Sequence, residues 1–257
     1  MTRRRWRARL AARLPMSLSH VVPIAASETS EVVRRRREVV GVTSLVGAGL
    51  LGASLSTRPG SREFYLSTAA VAGIWSVGGL VSGPLHLGWI QTRDSSLRRP
   101  VVTPVATGVG AFAFFYAAAL VARRIPPLDA AISRVLLFAD EGDDRLVLLT
   151  TLANGVGEEI FFRGALYAAL GDRNPALAST VVYTVATTTT RNPALVLAAT
   201  VMGTLFGLQR RASGGVQAPT ITHLTWSTLM LRFLPPLFRR PGLPGYAPRI
   251  SATSGDA

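Results

Sequence analysis

Two carboxylates stand side by side at Glu158 and Glu159 in "GEEIFFRG", and Arg163 follows the second by four residues. The stretch lies between "LVLLTTLANGVG" and "ALYAAL", inside a run that is otherwise free of charge. A carboxylate at a bilayer centre costs about 2.5–3.5 kcal/mol on insertion scales, so such charges are functional by default. On a helix Glu159 and Arg163 share a face in the favourable acid-before-base order and can pair. Glu158 points about 100° away around the same helix and gains no such local partner. One carboxylate held by arginine and another free to face a cavity is what water activation requires. The bland alternative is an interfacial salt bridge that ends a helix. Further on, His223 sits in "GGVQAPTITHLTWSTLM", where the other polar groups are almost all hydroxyls. Neutral imidazole suits zinc, and Ser227, one turn later on the same face, can orient a ligand or substrate. A lone histidine in an apolar helix is more often hydrogen-bonded structure; the glutamate pair tips the balance toward a site.

Composition says what solvent these groups meet. The 257 residues are 48% hydrophobic and only 16% charged, with a mean hydropathy of +0.32. Soluble domains carry about 25% charged residues, so the chain falls in the membrane class. No cysteine is present, which excludes disulfides and thiolate metal sites. The net charge of +14 is wholly arginine, since lysine is absent. Nucleic acid is not the expected partner, because the arginines gather at the edges of apolar runs, where they orient membrane helices. Residues 1–15 are basic but are not followed by the compact apolar core of a cleavable signal peptide.

The elements that must position the site follow from the charge-free stretches. Residues 39–57, 64–92 and 101–122 form three spans, the second ending near Pro84 or tilting. A polar connector follows, with a short interfacial helix expected at 128–139. The second half holds 146–170, 174–190, 192–209 and 212–231. The fold class is therefore all-α, a polytopic membrane protein with about seven transmembrane helices, within a range of about six to eight. The expected organisation is a basic cytoplasmic tail at 1–37, N-terminal membrane helices at 38–125, a core at 145–235 carrying the chemical residues, and a disordered tail at 236–257. The N-terminal tail holds ten arginines, the 93–99 loop three, and Arg210 and Arg211 lie in another short loop. All fall on one side if the N-terminus is cytoplasmic. Arg239 and Arg240 would then face outward with seven spans, which favours an even count.

"EEIFFRG" followed by "APTITHLTWS" resembles the CPBP family of intramembrane metalloproteases, the CaaX prenyl protease and bacteriocin-processing group also called the Abi family. Glu158, Glu159 and Arg163 match its Glu-Glu-x-x-x-Arg motif in full. His223 matches its His-x-x-x-Asn/Asp motif, with Ser227 in place of the amide or acid. Its Phe-x-x-x-His motif has only an approximate counterpart in "VVYTVATTTTRNP", with Tyr183 for the aromatic and Thr187 for the histidine. The resemblance covers about residues 145–235.

It implies an endopeptidase that cleaves a membrane-associated peptide or protein, in the cell membrane, through a glutamate-activated water and a divalent metal, zinc. Glu158 is then the general base, Glu159 a metal ligand or second base held by Arg163, and His223 a metal ligand. The two glutamates can exchange these roles, because sequence does not fix helix rotation. Thr187, Ser227 and Tyr183 line the site. Without a histidine at 187 the ligand set is short of the three protein ligands usual for catalytic zinc. His20 and His86 remain, the second more simply read as an interfacial residue beside Trp89. Two rival readings are a family member that has lost proteolysis and acts as a membrane scaffold or chaperone, and a proton-coupled transporter using the glutamates as a relay. The transporter ranks lower, because the first half lacks a matching charged or broken segment. The lysine-free composition suggests a GC-rich bacterial genome, so the resemblance alone does not imply a prenylated substrate.

Tags at the N-terminus and in the 93–99 loop are expected to report the cytoplasmic side, because arginine-rich short loops resist translocation. A periplasmic signal from either position breaks this topology.

Overall fold

Thr29 and Ser61 open the first two long helices. The Thr29 hydroxyl accepts the Val32 amide at the start of α1, Ser30–Ser54, and Ser61 accepts the Phe64 amide at the start of α2, Arg62–Val81. Each helix has a glutamate in its first turn, where the positive helix end favours it. Helix α1 thus begins inside the stretch expected as a tail, and Arg34–Arg37 ride on it. The reason is a partner for the charge: Arg36 is buried and donates through Nε to Ser82 O at the end of α2, at 3.2 Å. Arg37 similarly donates to Ala169 O at 3.1 Å. The computed structural model describes Leu18 and residues 29–91, 96–171 and 174–239. The expectations for His20, for most of the N-terminal tail and for the C-terminal tail from residue 240 lie outside those residues.

Helix α2 stops at Val81, well short of residue 92, where Gly83 and Pro84 break it. The loop beyond holds two paired residues on each of β1, Ile90–Gln91, and β2, Leu97–Arg98, with Ile90 opposite Arg98. Then come α3, Val102–Ala122, and α4, Pro126–Asp140, which is the short helix expected at 128–139. Helix α5, Asp144–Glu158, passes into a π-helical segment, Glu159–Leu166, and ends as α6, Tyr167–Leu170. The series closes with α7, Pro175–Thr188; α8, Pro193–Ser213; α9, Gln217–Phe233; and the short α10, Pro235–Phe238. Helices α2, α3 and α8 are long and apolar enough to cross a membrane.

Polarity is turned inside out relative to a water-soluble protein. Leu45, Val102, Leu149 and Leu177 are exposed, whereas Arg36, Glu159, Arg163, Gln209, Arg210 and His223 are buried. Hydrocarbon solvates neither charge nor free backbone, so polar side chains turn inward and helices satisfy their own amides. This is an all-α membrane protein.

Helices α1, α2, α5, α9, α8 and α7 pack in that order as a closed ring, and the π segment lies inside it. Small residues permit the closest crossings. A Cβ on Gly47 would overlap the Trp75 indole, which is fully buried against Phe161 and Phe162 at 4.7 and 4.9 Å between ring centroids. Helix α3 stands outside the ring against α9. Helix α4 crosses one end, touching α2 through Phe64 and Phe138 and accepting Asn192 Nδ2 on Ala131 O at 2.8 Å. At the opposite end the loop after α2 is stitched to the α8–α9 junction. Trp89 N donates to Ser213 O at 2.8 Å, and Val216 N and Gln217 N donate to the carbonyls of His86 and Leu87. Gly88 and Gly215 touch backbone to backbone there, where any side chain would collide. His86 is exposed and contributes its carbonyl rather than its ring.

Candidate active site

The site is built around the rod from Asp144 to Leu170. Asp143 caps its start by accepting the amides of Arg145 and Leu146, both at 3.0 Å. Asn154 ties the rod to α2 by donating to Thr68 O at 3.1 Å. Beyond Glu158 the helix widens into the π turn, which places backbone carbonyls within reach of neighbouring side chains. Ser179 Oγ donates to Phe162 O, and Arg210 Nε donates to Arg163 O, both at 2.7 Å. Side chains from α7 and α8 therefore hold the widened turn open.

That turn buries Glu159 and Arg163 completely, four residues apart as their spacing predicts. Arg163 Nη1 lies 3.2 Å from Glu159 Oε1, and Nη2 donates to Gly203 O at 3.3 Å. The guanidinium carbon stands 4.7 Å from the Tyr183 ring centre and 5.0 Å from that of Phe206. The same Glu159 oxygen receives His223 Nδ1 at 2.9 Å, and the imidazole stacks on Phe206 at 4.8 Å and 22°. A carboxylate beside arginine accepts, so Nδ1 is assigned the hydrogen and Nε2 is the free ring nitrogen. Glu159 Oε2 and Arg163 Nε have no hydrogen-bond partner among the described residues, so the pair is joined by one bond rather than a fork.

Glu158 has a different environment. It is only half-buried, and Tyr183 Oη donates to its Oε2 at 2.7 Å. The local partner absent from the helix comes from α7. Adjacent glutamates thus have separate surroundings: Glu159 sealed between a guanidinium and an imidazole, Glu158 half-buried beside a phenol.

Glu158, Glu159, Arg163, Tyr183 and His223 meet in one cluster. Thr187, one turn after Tyr183, is buried and donates to Tyr183 O at 2.8 Å, so its hydroxyl serves its own helix. Ser227 is buried one turn after His223 and makes no hydrogen bond to the cluster among the described residues. Sequence reasoning missed Phe206, Ser179, Gly203 and Arg210. Arg210 was expected in a short loop, but α8 continues to Ser213 and Arg210 turns inward, 4.8 Å from the Tyr167 ring centre. Its signal was weak, because a loop arginine and an inward one at a helix end look alike in sequence.

Glu159 Oε1 and His223 Nδ1 bond each other, and the groups left over are Glu158, the unpartnered Glu159 Oε2 and His223 Nε2. Among the described residues no group of three His, Cys, Asp or Glu side chains could hold a metal ion.

Residues 145–229 match a family model described as Type II CAAX prenyl endopeptidase Rce1-like, in agreement with the CPBP resemblance of the motifs. The matched region runs from the start of α5 to near the end of α9 and contains every residue of the cluster. No curated protein and no solved structure matches the chain.

Arg163→Ala is expected to destabilise the protein by about 3–5 kcal/mol, because it strands Glu159 as a buried charge. Adding Glu159→Gln should recover part of that loss. Chemical unfolding in detergent micelles checks this, and an Arg163→Ala variant as stable as wild type would show that the pair does not carry the fold.

Proposed function

We propose, for a chain whose residues 145–229 match the Rce1-like family model, that it is an intramembrane endopeptidase acting on a membrane-associated peptide or protein. The observation that carries this reading is the unequal environment of the two glutamates: one locked by Arg163 and His223, its neighbour half-buried beside Tyr183. A dry pocket strengthens every polar contact within it. Glu158 takes a proton from water as the water oxygen attacks the scissile carbonyl carbon, and returns that proton to the departing amine. His223 Nε2 is left to accept a hydrogen bond from the water, and the Ser227 hydroxyl to donate one to the carbonyl. Glu159 orients the imidazole and balances charge. No step passes through a metal, in keeping with the donor set.

The same reading includes the topology. Helix contacts at residues 36 and 82, 43 and 78, and 47 and 75 make α1 and α2 antiparallel. Continuing the alternation through α3, the α5–α6 rod, α7, α8 and α9 gives seven crossings from a cytoplasmic N-terminus in the cell membrane. The outward arginine that favoured an even count is compensated: Arg239 Nη2 lies 2.6 Å from Asp140 Oδ1. Glu141, Asp143 and Asp144 lie close by in sequence.

The test uses the full chain in liposomes with an internally quenched peptide ending in a CaaX sequence, prenylated or not. Wild type is expected to cleave at least one form and to keep doing so after chelator treatment. Glu158→Gln should abolish cleavage while leaving the melting temperature unchanged, since the amide keeps the volume and removes the base. Chelator-sensitive cleavage restored by zinc would overturn the metal-free reaction. A folded wild type that cleaves neither peptide is the outcome expected of a scaffold.

A further inference from the structure

We infer that Tyr183 is a positioning residue for Glu158, reaching it from α7 one turn before Thr187. The inference rests on Glu158 being the base. Three observations carry it. Thr187, at the pattern's histidine position, gives its hydroxyl hydrogen to Tyr183 O and so offers no donor to the cluster. Tyr183, at the pattern's phenylalanine position, has the hydroxyl that phenylalanine lacks, and that hydroxyl donates to Glu158 Oε2 at 2.7 Å. Its ring is fixed from two sides, by Phe162 at 4.8 Å between centroids and by the Arg163 guanidinium at 4.7 Å.

The geometry couples the two glutamates through one arginine. Arg163 bonds Glu159 directly and holds the ring whose hydroxyl bonds Glu158. A carboxylate without a fixed partner rotates about its terminal torsion, which is broad. A donor on Oε2 sets the carboxylate plane and leaves Oε1 as the oxygen presented to water. A base must lie within hydrogen-bond reach of the proton that it removes, so this orientation bears on the rate rather than on substrate affinity.

The test compares wild type, Tyr183→Phe and a distant control, Tyr116→Phe on α3, as full chains in lipid nanodiscs. The Glu158 carboxyl band is identified by infrared difference spectroscopy as the band lost in Glu158→Gln. Tyr183→Phe should move that band, and Tyr116→Phe should not. On a cleaved CaaX peptide Tyr183→Phe should lower kcat by about 10- to 100-fold with KM unchanged, the loss of one hydrogen bond to a charged group. An unmoved band with wild-type kcat overturns the inference while leaving the peptidase reading intact. If Glu158→Gln still cleaves, or wild type never does, the peptidase reading fails and the band shift alone decides the contact. Should Tyr183→Phe not fold, ring-labelled tyrosine in otherwise native protein gives the reciprocal measurement. Glu158→Gln must then shift the Tyr183 phenolic band, and its constancy overturns the inference.

Discussion

Glu159 is a carboxylate with no access to solvent, and the rest of the core is arranged around the need to balance it. A buried charge that loses its partner costs about 3–5 kcal/mol, a large part of a typical domain's stability. Arg163 supplies the counter-charge from the next turn, and His223 supplies a second donor from α9. Arg163 itself needs the Gly203 carbonyl on α8 and lies between the rings of Tyr183 and Phe206. One carboxylate therefore fixes the relative placement of the rod and three ring helices. Glu158, displaced by one residue, is spared that structural duty and meets Tyr183 instead.

The membrane explains why the widened turn is tolerated. In hydrocarbon a carbonyl released from the helical ladder must find another donor. Phe162 O and Arg163 O find Ser179 and Arg210. Similar accounting governs the arginine-rich end, where Arg36 and Arg37 donate to carbonyls at the ends of α2 and α6. These side chains serve as helix caps, so the arginines at that end close the helices that they meet.

Much of this was legible in the sequence. The charge-free runs marked a helix in each expected span, and the i,i+4 spacing of Glu159 and Arg163 gave their pairing. What escaped was set by packing. Periodicity cannot distinguish an α turn from a π turn, since the widening depends on Ser179 and Arg210 from distant helices. Arg210 read as a loop residue because its carbonyl partner exists only in the folded ring. The contact of Tyr183 with Glu158 spans 25 residues and has no local signature. In the sequence Tyr183 stands out by its aromatic ring, whereas its hydroxyl makes the contact. The end of α2, by contrast, was foreshadowed by Gly83 and Pro84.

The central claim is that Glu159 is shared between Arg163 and His223. A double-mutant cycle of Glu159→Gln and His223→Ala, read by unfolding free energy in micelles, tests it most directly. Contacting residues in one network couple by about 0.5–3 kcal/mol, and the account predicts a coupling at or above the middle of that range. Additive losses, with no coupling beyond experimental error, would mean that His223 does not engage Glu159 and would contradict the account.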